Sequence, residues 1–335
     1  MKSPLSWRRG ITTGIACTLF ALASLVCAQP GGKVFRIGVL GQGNAPRNAV
    51  PAADFRQALH DLGYKNVTLE VRYGEGDADK LTRLADELVR MKVDLIVTIG
   101  ESAASAAKRA TTTIPIIATE FGEDPVKSGL VASLSRPGGN VTGLASISEE
   151  LWLKRLQMLR EFAPKISRIG VVMNPTNRGN VSCLTEIRAA GLGLGMQVRA
   201  LEISDAKTLE AILAAIAKDP PDAFAMCWDS VTLEHAQAIA AFALKWRLPS
   251  VAPVREYVET GVLLSFGVNL PAHRRRAADL AHRIIKGEKP SGVPVEQPTH
   301  FELVVNMSTV KALGLSVPPA LGALVDDVYP PRTTP

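Results

Sequence analysis

Motifs that carry chemistry are scarce in this chain. It has no GxSxG elbow and no phosphate loop of the GK[ST] kind. The five histidines, His60, His235, His273, His282 and His300, show no metal-ligand spacing, and most fall within predicted helices. Neither a metal nor another cofactor is therefore expected. Gly41-Gln42-Gly43 follows a predicted strand, but Pro46 stands where a dinucleotide loop needs its third glycine. Cysteine is sparse too, with four in 335 residues. Long apolar runs are missing except near the N-terminus.

That N-terminal run explains two of the cysteines. Lys2, Arg8 and Arg9 precede an uncharged stretch over 11–26, and Val26-Cys27-Ala28 offers a cleavage site before Gln29. This is the pattern of a secretory signal peptide over 1–28, too short for a membrane span. Lipid attachment at Cys27 is disfavoured by the bulk of Val26. The segment carries three bases and no acid, so its removal lowers the net charge from +6 to +3. So mild a charge argues against nucleic acid as a partner. Cys183 and Cys227 remain. In an oxidising periplasm they could pair, but they sit in different elements, and two buried thiols are the expectation.

The rest of the chain alternates strands and helices. Strands are expected over 33–40, 67–73, 93–99 and 114–119, with helices over 52–62, 77–91 and 101–110 between them. After 148 the pattern restarts, with RIGVVM at 168–173 echoing RIGVL at 36–40. Strands over 197–203, 222–227, 250–254 and 262–266 follow, with a helix over 231–246 among them, then a helix over 271–286 and a last strand over 301–306. Arg274, Arg275, Arg276 and Arg283 on that helix read as a solvated face, with a partner-docking face as the other reading. The Pro-rich tail from Val317 is expected to wrap the surface. Such alternation implies an α/β fold with two doubly wound, Rossmann-like halves.

The stretch 114–143 organises the whole. A buried strand turns through Glu120-Phe121-Gly122-Glu123-Asp124, and Pro125 after Asp124 suggests a capped helix over 125–135. Its run DPV, GLV, SL, RPGGN, VTG resembles the signature of the periplasmic substrate-binding proteins of ABC importers, of the tryptophan and tyrosine type. Leu62-Gly63-Tyr64, Lys154-Arg155-Leu156, Asn174-Pro175, Arg275-Arg276-Ala277-Ala278 and the run from Lys286 to Pro319 are similar to the same family. The resemblance spans nearly all of the chain after the leader. It implies a type I periplasmic binding fold of two lobes joined by a hinge, one over 33–143 with about 269–298 and the other over 144–268 with about 299–335. It further implies a periplasmic, non-enzymatic monomer that carries an amino-acid-like small-molecule solute to an inner-membrane ABC permease. A racemase or lyase on the same fold, using Cys183 or Cys227, and a sensor subunit for a membrane signalling protein are the alternatives.

Ligands of doubly wound sheets meet the loops at the carboxyl ends of the strands. Those loops supply Gln42, Glu101, Ser102, Glu120, Phe121, Asp124, Asn174, Trp228, Asp229 and Phe266 as candidate ligand-binding residues. The chain departs from the family in places. Glu101 replaces a Thr, Phe266 a Tyr, and Trp228-Asp229 is unusual. With Glu101, Glu120, Glu123 and Asp229 together, the cleft would be acidic and suit a ligand with a cationic group, its aromatic part against Trp228. The competing reading has these acids capping helices or facing solvent.

Overall fold

The computed structural model describes residues 34–43, 45–121, 124–145 and 151–330. The export segment over 1–28, Glu123 and the side chain of Phe121 lie outside the described residues.

The first half runs β1 (Phe35–Gly41), α1 (Ala45–Asp61), β2 (Val67–Tyr73), α2 (Ala78–Arg90), β3 (Leu95–Ile99), α3 (Glu101–Ala110), β4 (Ile116–Phe121) and β5 (Val141–Ala145). Its five strands are all parallel, in the order β2-β1-β3-β4-β5. The period of two along each strand sorts its core. Leu95, Val97 and Ile117 point to one face, against α1. Ile96, Ile116 and Ala118 point to the other, against α2 and α3. Helix α3 buries Ala103, Ala104, Ala106 and Ala107, side chains small enough to bring its backbone close to the sheet.

The second half holds α4 (Leu151–Phe162), β6 (Arg168–Met173), α5 (Arg178–Gly193), β7 (Gln197–Glu202), α6 (Ala206–Ile216) and β8 (Ala223–Met226). It continues with α7 (Ser230–Glu234), α8 (Ala236–Lys245), β9 (Ser250–Ala252), α9 (Arg255–Val258) and β10 (Leu264–Gly267). After α10 (Leu270–Ile285) come β11 (Glu302–Asn306), α11 (Met307–Leu313), α12 (Pro319–Gly322) and β12 (Asp327–Tyr329). The seven strands lie in the order β12-β11-β10-β9-β8-β6-β7, parallel except where β11 meets β10. Helix α10 returns to the first sheet, where Ala277, Ala278, Leu280, Ala281 and Ile284 complete the α1 face.

Backbone connections bind the returning segment to β5. Ala145 N–H donates to the Glu296 carbonyl at 2.9 Å, Glu296 N–H to the Gly143 carbonyl at 3.0 Å, and Thr142 Oγ1 to the Val293 carbonyl at 2.8 Å. Gly143 is required there, because a Cβ would stand 2.0 Å from the Ala118 carbonyl oxygen.

Several expectations need correction. Residues 125–135 are turns rather than a helix. Asp124 caps only one turn, accepting from Val126 N at 2.8 Å, and Gly129 has a φ of 75°. The Lys108 ammonium then takes the Gly129 and Leu130 carbonyls that a helix would have used internally. A single helix expected over 231–246 is broken at His235 into α7 and α8. The C-terminal tail adds a strand, β12, beside β11. Arg274 is buried rather than solvated, since its face of α10 meets carboxylates described below.

The two remaining cysteines form a disulfide, not separate thiols. Cys183 on α5 and Cys227 at the end of β8 have Cα atoms 6.2 Å apart, within bridging reach. Helix and strand are adjacent in the second half although the residues are 44 apart in sequence, a proximity that composition cannot report. On a chain-entropy argument, closing a loop of that length stabilises the fold by about 4 kcal/mol. The double substitution Cys183→Ser with Cys227→Ser is therefore expected to lower unfolding free energy in urea by about that amount. An unchanged midpoint would show the bridge to be energetically idle.

Candidate functional site

The carboxyl ends of both sheets face one cleft. From the first sheet come Gln42 after β1, Glu101 and Ser102 at the start of α3, and Glu120 at the end of β4. From the second come 174–180 over the loop after β6 and the first turn of α5, Trp228 and Asp229 after β8, and Pro253 after β9. The cleft has two chambers that share Gln42 and Asn177. The larger spans about 510 Å³ of space between atoms, open solvent at its mouth included. It is walled by Trp152 and Trp228, floored by Asn180 and Cys183, and edged by Glu101, Glu120 and Glu186. The smaller is polar, with Ser102, Asn174, Thr176, Asp229 and Ser230 among its walls.

Gly100 has a φ of 92°, open mainly to glycine. The Gln42 side chain packs where a Cβ at position 100 would be, 2.2 Å away, and its Oε1 accepts from Ser102 N–H at 3.3 Å. The turn into α3 thus fixes Gln42 at the entrance to both chambers.

Asp229 organises the opposite wall. It is 3% exposed. Its Oδ1 accepts from Asn174 Nδ2 at 3.2 Å and Val231 N–H at 2.7 Å, and its Oδ2 accepts from Asn177 Nδ2 at 2.7 Å. Asn180 extends the network, accepting from Asn174 N–H at 2.9 Å and donating to the Trp228 carbonyl at 2.7 Å. Burial raises the Asp229 carboxyl above the ordinary range against the pull of these donors. The loops after β6 and β8 are thereby stitched together, with the disulfide directly behind them. Tyr257 supports the same loop, donating its hydroxyl to the Cys227 carbonyl at 3.1 Å while its ring meets Trp228 edge-on at 6.0 Å.

Glu120 adopts a φ of 55°, a left-handed conformation rare outside glycine. It is buried, and Arg274 Nε donates to its Oε1 at 3.0 Å. Its charge is therefore balanced within the protein. Trp152 is 2% exposed and held from behind by the Arg155 guanidinium, 4.6 Å from the ring centroid. Arg155 is wholly buried, which drops its pKa to about 9, and its Nε donates to the Phe266 carbonyl at 2.7 Å.

Of the sequence candidates, Gln42, Glu101, Ser102, Glu120, Asn174, Trp228 and Asp229 converge on the cleft. Two stand elsewhere. Phe266 packs in the core against Phe301 at 6.0 Å, under the Lys154 ammonium at 4.5 Å. Asp124 is spent on its own turn. Sequence reasoning missed Trp152, Asn180, Cys183, Glu186 and Pro253. Asn180, Cys183 and Glu186 recur at helical spacing on one face of α5, a signal that was present but had no anchor. Among the described residues no cluster of His, Cys, Asp and Glu could hold a metal ion.

Asp229→Ala would strand the Asn174 and Asn177 amides and the Val231 N–H in the interior. A loss of about 3 kcal/mol is expected in chemical unfolding.

Comparison with known proteins places this geometry. Residues 48–328 match the sequence profile of a family described as ABC transporter substrate binding protein. A tyrosine-binding protein of Clostridioides difficile is 29% identical over 266 residues, 78% of this chain and 75% of the relative. A conserved domain protein from Vibrio cholerae superposes with a TM-score of 0.81 at 25% identity, covering 88% of this chain and all of that one. A Streptococcus pneumoniae ABC domain in complex with L-Trp gives 0.80 at 22% identity over 88% and 99% of the two chains. The ligand-free, open structure of a substrate-binding protein with adhesive properties from Clostridium difficile gives 0.64 at 26% identity over 87% and 98%.

Proposed function

The chain belongs to the ABC transporter substrate-binding proteins, and on that premise we propose that it is the periplasmic receptor of an importer, closing two lobes on an amino-acid-like solute with a cationic group. The loaded receptor then engages an inner-membrane permease as a monomer, without catalysing a reaction. The observation that carries this reading is the larger chamber, where two indoles, Trp152 and Trp228, stand with the carboxylates of Glu101 and Glu186. Indole faces and carboxylates together suit a ring and an ammonium in one molecule. The half-buried Gln42 amide, shared by both chambers, suits its polar remainder.

Other observations support parts of this. The leader over 1–28 supports export. The whole chain superposes better on the L-Trp complex than on the ligand-free open structure, with TM-scores of 0.80 and 0.64, which supports reading the lobes as drawn together. A racemase using two free thiols finds no support, since Cys183 and Cys227 are joined. A sensor subunit would use the same cleft and differ only in the membrane protein it meets.

The test is a thermal-shift screen of refolded, ligand-stripped protein against amino acids, amines, purines and small acids, with L-tyrosine and L-tryptophan included. A ligand at about 100 times its dissociation constant adds about 2.7 kcal/mol, which shifts the midpoint by roughly 5–10 °C. The expected result is a shift with a zwitterionic or cationic compound. Shifts confined to anions would overturn the cationic group. With the ligand in hand, Glu101→Thr and Glu186→Gln are each expected to weaken it about tenfold, read by calorimetry, as suits the loss of about 1.4 kcal/mol from one charge-assisted contact.

A further inference from the structure

We propose that Arg274 is a positioning residue of this cleft and that burying Glu256 beside it makes lobe closure take up a proton. The inference rests on the two-lobed receptor reading above and adds a regulation to it.

Arg274 lies in the second turn of α10, just past the crossover that leaves β10 at Gly267. Its side chain is 9% exposed. One guanidinium meets three carboxylates on three other elements. Nε donates to Glu120 Oε1 at 3.0 Å, Nη1 donates to Asp54 Oδ2 at 3.1 Å, and Nη2 stands 4.0 Å from Glu256 Oε1. Glu120 and Asp54 belong to β4 and α1, on the first sheet with α10. Glu256 belongs to α9, between two strands of the second sheet. Arg274 therefore holds a cleft-lining carboxylate on one side and reaches the opposite lobe on the other.

Charge does not balance in this cluster when every acid is ionised, because a single cation faces three anions. Glu256 bears the imbalance. Its Oε2 is buried with no hydrogen-bond partner among the described residues, although about a quarter of the side chain, 23%, stays exposed. Arg255 on the same helix does not relieve it. That guanidinium is taken by Asp327 of β12 at 2.7 Å, Glu302 of β11 at 3.6 Å and Glu259 of α9 at 3.6 Å. Strands β9 and β10, also packed on α9, carry no ionisable side chain over their ranges. Burial pushes the Glu256 carboxyl up to about 7; a hydrogen bond from its own backbone N–H and Arg274 lower it, and Glu120 and Glu259 raise it.

The sign follows by linkage. With the lobes apart, Glu256 would face water and titrate as an ordinary glutamate, near pH ~4.3. With them together it holds its proton to about pH 7. Between those values closure binds a proton, so acid favours the closed form and a rise through pH 7 disfavours it. The limit is about one decade per pH unit for a single site.

The experiment uses ligand-free mature protein, so that its failure is separate from failure to find a solute. Small-angle X-ray scattering is recorded from pH 5.5 to 8.5 on wild type, Glu256→Gln, Arg274→Lys and Arg274→Gln, each checked for a cooperative unfolding transition. In wild type the closed-to-open ratio is expected to rise at least about fivefold from pH 8.5 to 5.5. Glu256→Gln should be flat across the range and as closed as wild type at low pH. Arg274→Lys should keep the wild-type profile, whereas Arg274→Gln should move its midpoint upward, because the one attractive charge is gone. A wild-type radius constant with pH, or a Glu256→Gln variant that retains the wild-type slope, would overturn the proposal.

Discussion

A carboxylate moved from water into a protein interior is costly unless its oxygens find donors. Asp229 is placed where that requirement shapes the cleft. Its donors come from two loops that the chain could otherwise hold apart, Asn174 and Asn177 after one strand and Val231 after another. Satisfying the charge brings those loops together, and only then do Trp228, Asn177 and Asn180 stand around one space. The residue that sequence chemistry offers as a ligand contact is better understood as the anchor for residues that face the ligand. Its bonds to protein leave little of its charge for a solute.

The same distinction applies to the acidic character of the cleft. Four acids looked available from the sequence. Glu120 is balanced by Arg274, and Asp229 is enclosed by amides, while Glu123 lies outside the described residues. Glu186 joins Glu101 instead, from a helix face that no loop inspection would reach. Charge counted along a chain overstates what a site presents, because buried partners cancel part of it.

Local pattern made much of the architecture legible. Strands buried on both faces, such as Leu95–Ile99, show as uncharged β-branched runs, and glycines and caps mark their ends. Loops at the carboxyl ends of such strands could be named as the ligand side without knowing the topology. What escaped was set by distant partners. Residues 125–135 carry helix-like signals, but Lys108 from α3 claims their carbonyls. Arg274 sits in a run of arginines, yet its neighbours are Asp54 and Glu120, far off in sequence. Phe266 ends a strand as expected, but its side chain turns into the core. Trp152 belongs to a helix packed beside the cleft rather than to a strand-end loop.

Both cysteines of the disulfide belong to the second half of the chain. The bond therefore braces one wall of the cleft and leaves the crossovers between the sheets unconstrained. A solute settling against that wall meets groups whose freedom was already given up during oxidative folding. If the halves close on a solute as proposed, the ordering entropy of capture falls instead on the loops of the first sheet and on that closure. In effect the covalent bond makes one side of the cleft an anvil.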